Sequence, residues 1–343
     1  MLTVGECGET ELIRRLQGLL YEPADGEPSG VVLGPGDDAA VLKVNPSSLL
    51  VSSCDMLIEG RHFDLAYTSP RDLGYKALAV NISDVAAMGG NPRWAMVSLA
   101  LSPETPLQFW EEFYRGMISL AREAGIALVG GDTTSSSITV VDVSIMGEAA
   151  GEELCYRSSA SPGDLLAVTG VLGSSAAGLY WLQNSPSPEL PERKEIEPLL
   201  CSHLRPRPRY LEASQLRRVP VKAMIDLSDG LAAGVSGICS ASRVGARVEL
   251  SRLPCLEEAG LLARSTGKSL EEWMLYGGED YELLFTVAPE VNVSYLQDTV
   301  AGKTGAQVSI IGEIVDADRG AVLVTGDGEE SPLQPERSYN HFK

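Results

Sequence analysis

Gly34-Pro35-Gly36-Asp37-Asp38-Ala39-Ala40-Val41-Leu42 is the stretch on which the fold turns. Its first six residues match the loose dinucleotide pattern G-x-G-x-x-[GA], which would make the chain a nucleotide-binding doubly wound sheet. Such a loop opens a helix whose bare N–H groups face a pyrophosphate. Here two carboxylates occupy the loop, and Ala40-Val41-Leu42 continues as a strand. Adjacent aspartates in that position make sense as metal ligands, although by themselves they equally make a solvated turn.

The flanking sequence supplies the elements that carry such a loop. The spacing of Leu12, Leu16, Leu19 and Leu20 predicts a helix over 4–20, followed by a Gly/Pro/Asp loop over 22–30. Strands are expected at 31–33, 39–44 and 49–53. Ser69-Pro70-Arg71-Asp72 reads as an N-cap, a proline at the first helical position and an acid two residues on. The helix it opens stops at Gly89-Gly90-Asn91-Pro92. Residues 93–101 are β-like. A helix over 106–124 turns Phe109, Phe113, Met117 and Leu120 inward, and strands follow at 126–129 and 138–146. A second set begins near residue 151, with strands at 165–169, 221–225, 247–250, 281–287 and 308–311 and helices between them. The proline-rich segment 184–198 reads as a surface loop. The chain thus divides into two α/β (α+β) halves, 1–150 and 151–343.

Acids recur at the edges of the apolar segments. Asp55 follows a strand, and Asp132 ends one at the kind of edge where α/β sites form. Asp226 closes another strand, and Asp229 stands at a helix N-terminus. Glu279 lies in Gly277-Gly278-Glu279-Asp280, ahead of a further strand. Asp84 sits inside a helix among Ala79, Val80, Ile82, Val85 and Ala86, where an acid has poor propensity and is costly to bury alone. Asn81 is on the same face. Together these acids point to several Mg²⁺ ions in phosphate chemistry.

Composition narrows the alternatives. The 343 residues carry a net charge of −20, which opposes non-specific binding to nucleic acid or anionic lipid. An anionic small molecule could bind such a body if divalent cations neutralised the site. Two G-K-[ST] strings, at 267–269 and 302–304, lack the earlier glycine of a P-loop. Histidine occurs only at 62, 203 and 341, which argues against histidine-rich catalysis. The six cysteines form no C-x-x-C pair, and the charged start (Glu6, Glu9, Glu11, Arg14, Arg15) has no secretory pattern. Reduced thiols and a cytoplasmic address are expected. The uncharged run 165–188 reads as strand, turn and buried helix rather than a membrane span.

Leu33-Gly-Pro-Gly-Asp-Asp-Ala-Ala-Val-Leu42, Asp55-Met-Leu-Ile-Glu-Gly-Arg-His-Phe63 and Tyr75-Lys-Ala-Leu-Ala-Val-Asn-Ile-Ser-Asp-Val-Ala-Ala-Met-Gly89 resemble the thiamine-monophosphate kinase family. So do Gly130-Gly-Asp-Thr-Thr134, Ile225-Asp-Leu-Ser-Asp-Gly-Leu231 and Gly277-Gly-Glu-Asp-Tyr-Glu-Leu283, in order over 34–342. That family resembles the wider aminoimidazole-ribonucleotide synthetase superfamily, with two α/β domains sharing an ATP site and N-terminal domains paired in a homodimer. The resemblance implies transfer of the γ-phosphate of ATP to thiamine monophosphate, giving thiamine diphosphate. It implies magnesium on Asp38, Ser53, Asp55, Asp84, Asp132, Asp226 and Asp229. It places ATP on Gly131, Asp132, Arg157 and Ser228, and thiamine phosphate on His62, Glu279 and Tyr339. Asp37 lies beside the metal set. No side chain is implied as a general base or nucleophile, since the attacking acceptor phosphate is already largely ionised. The chain departs from the family at Cys54, usually Thr, at Pro35, usually Ile, and at Ser338, usually Gly.

Other features have plainer readings. The arginines between His203 and Arg218 are expected at a capped helix entry, Asp164 in a turn before a strand, and Met88, Met96 and Met117 in the core. Two rivals stand beside the kinase. One is another superfamily enzyme; a selenophosphate synthetase would want a Lys near Cys7, and a hydrogenase-maturation dehydratase a C-terminal Cys. The other is a nucleotide- or metal-binding regulator without turnover.

Overall fold

The computed structural model describes residues 2–20, 30–35 and 39–342. The chain forms two compact units, Met1–Val85 with Gly90–Glu152, and Ala86–Gly89 with Glu153–Lys343.

The first unit opens with α1 (Val4–Cys7), which Thr3 caps by accepting the Glu6 N–H at 3.2 Å. Gly8 takes φ of 75° and ends it, and α2 (Glu9–Leu20) starts afresh. The single helix expected over 4–20 is therefore two, because the glycine's left-handed backbone breaks the hydrogen-bond ladder. Strands β1 (Val31–Leu33) and β2 (Val41–Leu42) pair antiparallel. Then come β3 (Leu49–Ile58), α3 (Pro70–Ala87), β4 (Asn91–Leu101), α4 (Leu107–Ala124), β5 (Ala127–Ser135) and β6 (Val140–Ala149). The last four strands make one sheet in the order β3-β6-β4-β5, antiparallel except for β4 beside β5.

Helix α3 begins as its sequence foretells, with Ser69 Oγ accepting the Asp72 N–H at 3.1 Å and Pro70 in the first turn. Leu73, Ala77, Leu78, Ile82 and Val85 are all fully buried, so α3 is covered nearly all round. In α4, Phe113, Met117 and Leu120 are buried and Phe109 is half-buried. Met96 departs from the core expected of it. It stands 39% exposed on the open side of the sheet.

The second unit contains β7 (Leu165–Thr169), α5 (Ser174–Asn184), α6 (Glu197–Leu204), α7 (Tyr210–Leu216), β8 (Val221–Asp226), α8 (Leu231–Ser242) and β9 (Gly245–Glu249). It continues with α9 (Glu257–Thr266), α10 (Leu270–Tyr276), β10 (Leu283–Val287), α11 (Val293–Thr304), β11 (Val308–Val315), β12 (Ala321–Val324) and β13 (Glu330–Pro332). Its sheet runs β13-β12-β9-β11-β7-β10-β8, and only the β12–β9 pair is parallel. Leu166, Val168 and Leu284 belong to one core cluster, and Ala167, Leu283 and Phe285 to another. Alternate residues thus feed two cores. A sheet buried on both faces explains why these strands read as unbroken apolar runs.

Three expectations change here. The segment 184–198 is not all loop: Ile196 is fully buried and Pro198 sits in the first turn of α6. Strands β12 and β13 are additional, both short, with β13 at the sheet edge. Tyr281 does not begin a strand, because its φ is 50° and the ladder starts at Leu283. Among the described residues no helix is long and apolar enough to cross a membrane.

Candidate functional site

In the first unit, β3 and α3 bring together part of the expected set. Strand β3 runs on to Ile58, so Asp55 lies within it rather than after it. Ser53 Oγ donates to Asp84 Oδ2 at 2.5 Å, which supplies the half-buried helical acid with a partner. The Asp55 N–H donates to Asn81 Oδ1 at 3.1 Å, and Asn81 Nδ2 returns a bond to the Ala77 carbonyl at 3.0 Å. Asn81 is fully buried, and its amide ties strand to helix between the two acids. His62 lies beyond β3 and accepts the Ile58 N–H on Nδ1 at 3.0 Å. A neutral ring then carries its hydrogen on Nε2. The Lys76 ammonium, on α3, donates to the His62 carbonyl at 3.4 Å.

Asp132 is also inside a strand, not at its end, because β5 continues to Ser135. The register places it in the row Met56, Asp142, Ser98, Asp132, whose side chains are exposed or half-exposed. This row stands on the opposite face of the sheet from Ser53 and Asp55, so the fold of this unit does not bring Asp132 together with them. Gly131 sits opposite Val97 with φ of 150°, and a Cβ there would lie 1.9 Å from the Val97 carbonyl oxygen. Only glycine lets β5 pass this point. Asp37 and Asp38 lie outside the described residues.

In the second unit two loops are laced together. Asp226 is the last residue of β8 and pairs in register with Leu283. Beyond it, the Leu227 N–H donates to the Glu282 carbonyl and the Tyr281 N–H to the Leu227 carbonyl, both at 2.9 Å. The Glu279 N–H donates to the Ser228 carbonyl at 2.6 Å. This lacing places Ser228 and Asp229 beside Glu279, whose φ of 66° is strained for a residue other than glycine. Burial pushes the Asp229 carboxyl above its ordinary value, against the opposing pull of His341. The Arg157 side chain is exposed while its carbonyl accepts from Ser242 Oγ at 2.7 Å. Tyr339 is 42% exposed and meets the His341 ring edge-on at 4.9 Å between centroids.

Several further groups of this region are not singled out by any local sequence pattern. Asp280 accepts the N–H groups of Gly173 and Ser175, at 2.7 and 3.2 Å, at the start of α5. Burial nevertheless raises its pKa to about 8. Glu282 takes a two-pronged contact from Arg209, at 2.6 and 2.5 Å, and a third bond from Thr169 Oγ1 at 2.7 Å. The arginine-rich stretch is thus partly spent on ion pairs, with Arg217 also reaching Glu153 at 3.5 Å. The signal was in plain sight as three acids in 279–282, but their separate duties depend on partners far away in sequence.

Among the described residues, no three His, Cys, Asp or Glu side chains form a cage for a metal ion. The donors present, Ser53, Asp55 and Asp84 in one unit and Asp226 and Asp229 in the other, are hard oxygens. That suits Mg²⁺, which takes one or two carboxylates and completes its shell with water and substrate phosphate.

The AIR synthase related protein N-terminal domain family matches residues 36–149, and the corresponding C-terminal domain family matches residues 161–325. Fold and matches together define a protein of the AIR synthase-related class. Within it, a thiamine-monophosphate kinase of Escherichia coli strain K12 is 39% identical over 336 residues, covering 98% of each chain. The crystal structure of the thiamine-monophosphate kinase of Stenotrophomonas maltophilia K279a is 34% identical, with a TM-score of 0.80 over 93% of this chain and 96% of that one. A structure described as AaThiL complexed with AMPPCP and TMP is 29% identical, with a TM-score of 0.75 over 100% and 99% of the two chains. The chain belongs to the thiamine-monophosphate kinase family.

Proposed function

We propose that the protein is an ATP-dependent kinase that phosphorylates thiamine monophosphate to thiamine diphosphate, a step of thiamine diphosphate biosynthesis. The likeness to a thiamine-monophosphate kinase across 98% of both chains carries this reading. The solved relative holding AMPPCP and TMP supports ATP and thiamine monophosphate as the two substrates.

The first unit is assigned ATP and magnesium binding, and the second the completion of the nucleotide and acceptor sites. Asp38, Ser53, Asp55, Asp84, Asp132, Asp226 and Asp229 are the magnesium ligands. Gly131, Asp132, Arg157 and Ser228 contact ATP, and His62, Glu279 and Tyr339 contact thiamine monophosphate. Bound magnesium supplies charge neutralisation for phosphates entering a strongly acidic chain. The protein's own part is positioning. The hydroxyl of Ser53 orients the Asp84 carboxylate, and Asn81 holds β3 and α3 in register. The laced loops of the second unit fix the Glu279 backbone. The acceptor phosphate attacks directly, in line with departing ADP, and no side chain forms a covalent intermediate.

The open side of the β3-β6-β4-β5 sheet carries Leu50, Met56 and Met96, between 39% and 51% exposed. We assign it to a second copy of the chain, giving a homodimer. A cytoplasmic address accords with the free cysteines.

A coupled ADP-release assay tests the reading. Thiamine monophosphate should turn over and free thiamine should not, because the acceptor's phosphate is both nucleophile and handle. ATP chiral at its γ-phosphorus should give inverted product. Equal turnover of free thiamine would overturn the substrate assignment. Retention of configuration would overturn the single displacement.

A further inference from the structure

His203 has no place in the chemistry above, yet it is 2% exposed and lies directly under the loop that carries Glu279. It stands in the last turn of α6, which packs on α5. Its Nδ1 is 3.1 Å from Ser175 Oγ and 3.3 Å from Glu279 Oε2. A carboxylate only accepts, so the ring nitrogen facing it carries a hydrogen. Ser175 Oγ shares that nitrogen, and the Ser175 N–H is already spent on Asp280. The start of α5 grips the loop through the backbone N–H groups of Gly173 and Ser175 to Asp280, while the imidazole on α6 reaches Glu279, its one Nδ1 hydrogen shared with Ser175 Oγ.

The backbone gives this grip a purpose. Glu279 and Tyr281 both hold positive φ, 66° and 50°. Residues with a Cβ leave that region unless their surroundings hold them there. The Glu279 N–H is tied to Ser228, but that bond leaves the side-chain torsions open. Only a contact to the carboxylate itself selects its direction.

We propose that His203 is the positioning residue for Glu279, holding one carboxylate oxygen through Nδ1 so that the group is preset for the acceptor. The inference rests on the assignment of Glu279 to thiamine monophosphate. His203 touches no substrate and acts only through Glu279, with Ser175 completing the seat of the ring.

Steady-state kinetics on the full-length enzyme test it with H203L, H203N, E279Q and the double variant H203L/E279Q. Loss of a hydrogen bond to a charged group should raise KM for thiamine monophosphate about tenfold in H203L, with KM for ATP changed less than about twofold. H203N places an amide N–H where Nδ1 stands and should recover most of the loss. The double variant should be no worse than E279Q, since both changes remove one coupled contact. A merely structural histidine would give additive losses and raise both KM values alike, and that result overturns the proposal. If E279Q raises KM for thiamine monophosphate but H203L does not, the positioning role alone is overturned. If E279Q leaves that KM unchanged, the assignment of Glu279 falls and the proposal falls with it. Should H203L fail to fold, H203N against H203Q decides the same point. Only the asparagine reaches the Nδ1 position, so equal KM values for the two overturn the role.

Discussion

Ser53 Oγ and Asp84 Oδ2 meet at 2.5 Å, joining the middle of an edge strand to the helix α3. The hydroxyl can donate to only one oxygen, so this bond fixes Oδ2 alone. Asp84→Asn keeps the volume and removes the charge. The expected outcome is a fall in kcat of about a hundredfold or more with an unchanged far-ultraviolet spectrum. Ser53→Ala, which removes an orienting contact, should cost about tenfold. Wild-type turnover of Asp84→Asn at saturating magnesium would rule out its ligand role.

Asp164 provides the contrast. It is 1% exposed, receives Lys222 Nζ at 2.6 Å and accepts the Ser161 N–H at 2.8 Å. The turn acid of the sequence is also half of an ion pair. Asp164→Asn should leave both KM values as they are and lower stability by about 2–3 kcal/mol, because Lys222 loses its counter-charge. Denaturant melts check the loss, and a kinetic defect without one would contradict the structural role.

Asp280 gives a pH dependence of defined sign. Its pKa rises from the ordinary 3.8 to about 8 through burial. Between those values the folded state keeps a proton that the unfolded state releases. Its contribution to stability is therefore greatest below the unfolded value and shrinks as pH rises towards the folded one. Asp280→Asn cannot release a proton, so its stability should fall less steeply across that window. Denaturation midpoints of the two proteins at a series of pH values check this, and parallel curves would refute it.

Tyr339 stands 42% exposed against His341. A ring face there suits the cationic thiazolium of the acceptor. Tyr339→Ala should raise KM for thiamine monophosphate about fivefold to tenfold and leave KM for ATP nearly constant. An equal effect on both, or none, would make Tyr339 a surface residue of the tail.

Much of this molecule is legible locally. Ser69, Pro70 and Asp72 announce α3 because capping is settled within one helical turn. The apolar run at 165–169 announces β7 because a strand buried on both faces needs no alternation. Strand ends are less legible, and β3 and β5 run beyond their apolar patterns. Residues such as Ser53, Cys54, Asp55 and Ser135 are polar, yet they lie in strands because each pairs in register with a neighbouring strand, and the outward Asp55 N–H is taken up by Asn81.

The sequence by itself determined the order of the acidic motifs, the two α/β halves and the family to which those motifs belong. Each of these is written in contiguous residues. Only the tertiary structure decided which acid does what. Asp84 meets Ser53 from 31 positions away, Glu282 is claimed by Arg209 from 73 positions away, and Asp280 by the start of α5 from 107 positions away. Three acids within four residues thus acquire three different environments: one aimed by a histidine, one holding a helix, one buried against a guanidinium. The reason is physical. A carboxylate's state depends on the donors and the water around it, and packing between distant segments sets both.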